Sequence, residues 1–488
     1  MIKRMKARPY LIALVLIVLV AGLLVVFRTP GGDPAQQQRQ ETSAQAAVEA
    51  GAGAGDAYYP TDGNSGYDVA LYDLAITYDP GSKRLDGVAK ITATTSEDLS
   101  RFNLDLEGLK VSDVKVGGQP AKFVQEGDHE LVITPAAPLA KGKQFTAVVT
   151  YGGAPTTIDD ASLGRSGWQI SSTGGAFAAG QPHSATTWFP ANDTPRDKAA
   201  LKLAARVPDG WTAISNGLEG PVTRDGGWTT FNWSEETPLA TYVATVAIDK
   251  FEVVRSKLPS GTPVLDAYAP GTSAQKKPIQ AKLPEILAYL ETKFGPYPQR
   301  AAGSIWVADQ IGFSLETQTR PIYASWADLE TVVHENAHMW FGDSVSLRNW
   351  ADICLNECLA SYSQWLWTEK EGTDLDKRYR ERVQELRDRS SFWAPKLYDM
   401  GKGNEFRGVY DKGILAMHAL RKQVGDDVFF KALQSWSAKH RDGNATWPEF
   451  ENHFKQASGQ QLDGFFAAWF RGSGIPQDQY LLPAGLRR

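Results

Sequence analysis

Two histidines stand four residues apart in the stretch TVVHENAHMWFGD, residues 331–343: His334 and His338, with an acid, Glu335, directly after the first. On an α-helix, positions i and i+4 lie one above the other, so both imidazoles can reach a single zinc ion at about 2.0–2.1 Å. Glu335 leaves the same turn beside such an ion rather than onto it, where a carboxylate can serve as a base. Catalytic zinc takes three protein ligands and keeps one position open. The next helical stretch, ADICLNECLASY, supplies the third candidate, Glu357. The alternative is a solvated helix face with satisfied histidines. Against it, Val332 and Val333 precede the motif and MWF follows, which predicts a buried helix, and buried histidines beside a buried acid need partners.

The elements that must hold these residues follow from hydrophobic periodicity. From residue 256 to the C-terminus apolar residues recur at helical spacing in AKLPEILAYLETKFG, ADLETVVHENAHMWFG, WADICLNECLASYSQWLWTEK, DKRYRERVQELRDR, KGILAMHALRKQVG and DDVFFKALQSWSAKH. That spacing predicts six helices, with Gly295, Gly342 and Gly425 as C-terminal caps. GSIWVAD and FSLETQTRPIY read as a short strand pair ahead of the motif helix. Residues 61–255 alternate instead, as in YDVALYDLAITYD and KQFTAVVTY, with turn residues such as DPGSKRLDG between the runs, and form an all-β domain. The fold class is therefore multidomain α+β, an all-β N-terminal domain followed by a mainly α domain over 256–488.

Lys3, Arg4, Lys6 and Arg8 precede an uncharged run from Tyr10 to Phe27. The run is longer than the apolar core of a cleaved signal peptide and predicts a transmembrane signal-anchor over 10–27. The positive flank keeps residues 1–9 cytoplasmic and places the rest on the extracellular side. Residues 28–60, rich in Gln, Ala, Gly and Ser, read as a flexible stalk. A net charge of −5 without a basic block beyond the N-terminus excludes nucleic acid as a partner. The two cysteines, Cys354 and Cys358, read as small buried packing residues, with half a metal site or a redox pair as alternatives, and no disulfide framework is expected.

Taken together these words resemble the zinc aminopeptidases of the aminopeptidase N and leukotriene-hydrolase type, whose gluzincin pattern is HExxH, eighteen residues, then Glu. Eighteen residues separate His338 from Glu357, and WFGDSV and LNECLASY resemble the family's framing words. The resemblance implies a saddle-like β domain, a thermolysin-like catalytic domain, one zinc ion, and peptides with a free N-terminus as substrates of a monomer. QIGFSLETQTRP, residues 310–321, is similar to the family's GAMEN segment and puts Glu316 at the amine-binding acid. VYDKG, residues 409–413, is similar to its YxKG and makes Tyr410 the catalytic tyrosine. QPHSATTWFPANDTPRDKA, residues 181–199, maps Gln181 to the first side-chain pocket.

Each implied role is chemically sound. Glu335 can take a proton from a zinc-activated water, and Tyr410 can donate to a developing oxyanion. A carboxylate at Glu316 can pair an α-ammonium and so disfavour internal cleavage. Phe313 and Ser314 depart from the Gly-Ala of GAMEN, which bears on side-chain preference. The chain stops soon after FFAAWFRGSGIPQDQYLLP, without the large helical C-terminal domain of longer members, so an open site is expected. An epoxide-hydrolase-like bifunctional relative and a non-catalytic zinc-binding scaffold of the same fold are the alternatives.

Overall fold

Along Arg84–Thr95 buried and exposed side chains take turns, as a strand with one face on a core requires. The computed structural model describes residues 48, 49, 51–160, 163–483 and 486. Among them the largest sheet has eight strands, in the order Leu218–Asp225, Trp228–Leu239, Ala199–Pro208, Tyr67–Asp79, Arg84–Thr95, Gln144–Gly153, Lys110–Val116 and Gln119–Pro120. Tyr67–Asp79 runs parallel to Ala199–Pro208, with Leu74 opposite Leu203, and antiparallel to Arg84–Thr95. Two smaller sheets, of five and four strands, complete this all-β half.

The boundary expected at residue 255 falls inside a strand, Glu252–Lys257, which opens another four-stranded sheet with Pro263–Tyr268, Ala302–Trp306 and Ile322–Tyr323. The last three are parallel, and the helix Leu283–Phe294 lies in the crossover between the first two of them, as parallel pairing demands. LETQTRP is therefore not strand but the loop leading into Ile322–Tyr323. Thr319 takes a left-handed φ of 73° there, which breaks extended pairing.

All six expected helices are present among the described residues. The motif helix is Leu329–Ala337, shorter than predicted: it stops ahead of Gly342, and His338 caps it in a still-helical conformation. A further helix, Trp447–Ser458, is not among the six. Thr446 and Glu449 close a capping box at its start, a signal that TWPE carries in the sequence.

Three other expectations change. Residues 51–60, read as the end of the stalk, pack: Tyr58 and Tyr59 are buried, Asp56 accepts from the Trp350 amide at 2.7 Å, and the Tyr58 hydroxyl donates to Asp399 at 2.9 Å. Two tyrosines in a Gly- and Ala-rich stretch supply the apolar area that anchors it. Cys354 and Cys358 are bonded to each other, which corrects their reading as free packing residues. One helical turn leaves their Cα atoms 4.8 Å apart, within bridging range. The transmembrane anchor and most of the stalk lie outside the described residues, and no helix among the described residues is long and apolar enough to cross a membrane.

Candidate active site

Asp328 starts the motif helix by accepting from the Thr331 amide at 2.9 Å, while Thr331 answers the Asp328 amide. Val332, Val333 and Ala337 are fully buried and set the helix rotation. The neighbouring helix Cys354–Lys370 carries Glu357 and packs against both the motif helix and the helix Lys412–Val424. The second approach is close. A Cβ on Gly413 would stand 2.7 Å from the Cys358 sulfur, so glycine is required there.

Three donor atoms converge between these elements. His334 Nε2 lies 3.1 Å from His338 Nε2 and 3.2 Å from Glu357 Oε2, and His338 Nε2 lies 3.6 Å from the same oxygen. Donors bound tetrahedrally to one zinc at 2.0–2.1 Å are about 3.3 Å apart, so the spacing fits that ion. Glu357 Oε2 is buried and has no hydrogen-bond donor, the condition a cation relieves. His338 Nδ1 stands 2.9 Å from the Phe341 carbonyl and donates to it, which frees Nε2 for a metal. Burial alone would raise the Glu357 carboxyl. The imidazoles of His338 and His334, 3.6 and 3.2 Å from it, outweigh that and hold the carboxyl below the usual range.

Glu335 stands beside the donors and is buried. That burial raises its carboxyl well above the ordinary glutamate range, with Glu316 and Glu357 adding to the effect and His338 opposing it. Glu316, Glu335 and His338 offer donor atoms that all lie within 4.8 Å of one another. Gln181 Nε2 donates to Glu316 Oε1 at 3.3 Å.

The loop that carries Glu316 is held by the β half. Its Thr319 hydroxyl accepts from the Gly217 amide at 2.9 Å, its Gln318 carbonyl accepts from Asn216 Nδ2 at 2.8 Å, and Arg320 donates to the Ser215 carbonyl at 2.8 Å. Arg320 also stacks over the Trp233 ring at 4.9 Å. Helices thus place the metal donors, and sheets place the amine-binding candidate.

Tyr410 sits in the turn just before the helix Lys412–Val424, its ring centroid 5.9 Å from that of His334. It is 39 % exposed because the ring lines an open cleft. Enclosure of its hydroxyl, followed by the charges of Glu357, Glu316 and Glu335, raises its pKa well above the usual value, so it stays a donor. Lys412 fixes the turn from below, donating to the carbonyls of Trp393, Pro395 and Gly472 at 3.0, 2.7 and 3.1 Å.

The structure brings all seven residues singled out in the sequence around one cleft of about 440 Å³, walled in part by Phe313, Trp326 and Phe406. Trp326 and Phe406 are absent from the sequence reading. Both lie on irregular segments, where no periodicity marks a residue as facing a cavity.

Residues 69–243 match the peptidase M1 N-terminal domain, and residues 313–469 match the peptidase family M1 domain. A probable aminopeptidase 1 from Saccharolobus solfataricus is 26 % identical over 84 % of this chain and 54 % of its own length. Aminopeptidase M1-B of Oryza sativa subsp. japonica is 25 % identical over 83 % of this chain and 50 % of its own. The chain thus spans about half the length of the curated relatives it matches. Among solved structures, an M1 zinc metallopeptidase from Deinococcus radiodurans superposes with a TM-score of 0.81 at 29 % identity, covering 87 % of this chain and 98 % of that one. A mutant of that enzyme bound to a Tyr-Ser-Ala substrate gives the same TM-score.

Proposed function

Because the chain belongs to peptidase family M1, we propose that it is a zinc-dependent aminopeptidase that removes N-terminal residues from peptides. The observation that carries this reading is the convergence of His334, His338 and Glu357 at 3.1–3.6 Å with Glu316 and Glu335 in the same group. One zinc ion held there supplies Lewis acidity, lowering the pKa of a water and polarising the scissile carbonyl. Glu335 takes the proton of the attacking water and hands it to the leaving amine. Tyr410 donates to the carbonyl oxygen as it becomes negative. Glu316, aided by Gln181, pairs the substrate's α-ammonium and orients the first peptide bond toward Glu335. A non-catalytic scaffold would dispense with Glu335 or a donor, and all are in place. The relatives this chain resembles are aminopeptidases, which favours peptide hydrolysis over an epoxide-hydrolase-like bifunctional relative.

The test is a panel of amino-acid anilides with an N-acetylated peptide as control, run with zinc and again after chelation. Zinc-dependent release from free amines alone supports the reading, and equal cleavage of the acetylated peptide removes it.

Phe313 projects a ring where the family's GAMEN segment has glycine, and with Trp326 and Phe406 it bounds the space for the first side chain. We expect Phe313→Gly to shift relative kcat/KM toward the bulkier of two first residues by about 10- to 100-fold, the scale of pocket discrimination. An unchanged ranking across the anilide panel would show that the ring does not meet that side chain.

The run from Tyr10 to Phe27 and its basic flank support a membrane-anchored enzyme whose catalytic unit faces the extracellular side. Alkaline carbonate extraction of membranes checks the anchor: activity that stays in the pellet supports it, and activity released into the supernatant refutes it.

A further inference from the structure

In the β half, strands Leu99–Asp105 and Glu130–Thr134 pair antiparallel with Asp105 directly opposite Glu130. Two carboxylates in that relation repel, and Asp105 is fully buried. Asp193, also buried, donates its backbone N–H to Asp105 Oδ2 at 2.8 Å. Two side-chain amides touch the carboxylate pair: Asn64 Nδ2 donates to Asp105 Oδ1 at 3.1 Å, and Asn103 Nδ2 to Glu130 Oε2 at 3.0 Å. Asn64 and Asn103 are only 3 % and 5 % exposed, yet the amide oxygen of each has no partner. Glu130 Oε1 and Asp193 Oδ2 are likewise buried without a donor.

Burial raises the Asp105 carboxyl far above its usual range, and the charges of Asp193, Glu130 and Asp62 raise it further. The imidazoles facing the cluster are His129 and His183. His129 Nε2 lies 3.2 Å from the Thr61 carbonyl and 4.0 Å from Glu130 Oε1, and His183 Nδ1 meets Asp62 at 3.0 Å. Asp62, Asp105, Glu130 and Asp193 thus set four carboxyls against two imidazoles, and a bound cation would favour the ionised form of those that burial raises. Donor atoms of Asp105, Glu130 and His129 lie within 4.8 Å of one another.

We propose that this cluster binds one hard divalent cation, calcium, through the carboxylates of Asp105 and Glu130 and the amide oxygens of Asn64 and Asn103. Calcium takes six to eight oxygens at about 2.3–2.6 Å and accepts irregular geometry, which suits two carboxylates and two amides gathered from three segments. A half-turn of each amide exchanges nitrogen for oxygen toward the ion. Glu130 and His129 are partly exposed and open the cluster to solvent. The bound ion fastens residue 64 to both strands. It shares no residue with the zinc donors, so its role is to hold the β half together rather than to take part in catalysis.

Equilibrium dialysis of the full chain against radiolabelled calcium, with o-phenanthroline present to strip zinc, tests this without any reading of activity. The expected result is about one calcium per chain, with a Tm raised by roughly 2 °C or more in millimolar calcium. Both effects are expected to vanish in Glu130→Gln, a change at the rim that keeps the Asn103 contact, and in Asp105→Asn. No retained calcium in the wild type, or equal retention in both variants, overturns the proposal.

Discussion

Glu335→Gln is expected to lower kcat by about 10²- to 10⁴-fold while the chain keeps its zinc, the range that a positioned acid–base group supplies. Glutamine preserves shape and hydrogen bonding but can neither take the proton of the attacking water nor return it to the leaving amine. Glu335 stands beside the three donors and not among them, so metal content measured by mass spectrometry should match the wild type. Loss of zinc together with activity would recast Glu335 as a ligand or a structural residue. The pH dependence follows from the same role. The base is ionised above its pKa and protonated below it, so kcat/KM falls as the pH drops through that value, which burial raises above the ordinary glutamate range. Zinc content followed at each pH separates this limb from metal loss through histidine protonation, and the limb should be missing from the residual activity of Glu335→Gln.

Glu316→Ala is expected to cost about 10³-fold in kcat/KM on free-amine substrates, in keeping with removal of one partner from a buried charge pair. The same variant should lose most of its discrimination between a free and an acetylated N-terminus, because the group that recognises the ammonium is gone. Glu316→Gln distinguishes charge from shape: it can still bond Gln181, but it no longer pairs a cation. If Glu316→Ala leaves the ratio of free to acetylated cleavage unchanged, the amine is held elsewhere and the exopeptidase reading loses its physical basis. The loop is secured by Thr319, Gln318 and Arg320 rather than by Glu316 itself, so these variants are expected to fold.

Local pattern carried much of this protein in its sequence. The spacing of His334, Glu335 and His338 follows from the pitch of one helix, and the six predicted helices follow from apolar periodicity that each segment holds within itself. Alternation likewise identified the β half, since side-chain direction along a strand is a local property. Other features required the closed chain. The contact between Gln181 and Glu316 joins residues from the two halves, and the clasp that aims Glu316 is made by Asn216, Gly217 and Ser215. Trp326 and Phe406 face the cleft from irregular segments. Asp105 and Glu130 become neighbours only through strand register, which is set by pairing over distance and not by either strand alone. Even the cysteines, one helical turn apart in sequence, show their partnership only in the folded chain. Periodicity is written residue by residue, whereas register, loop paths and buried polar pairing depend on which distant segment arrives opposite, and only the tertiary structure decides that.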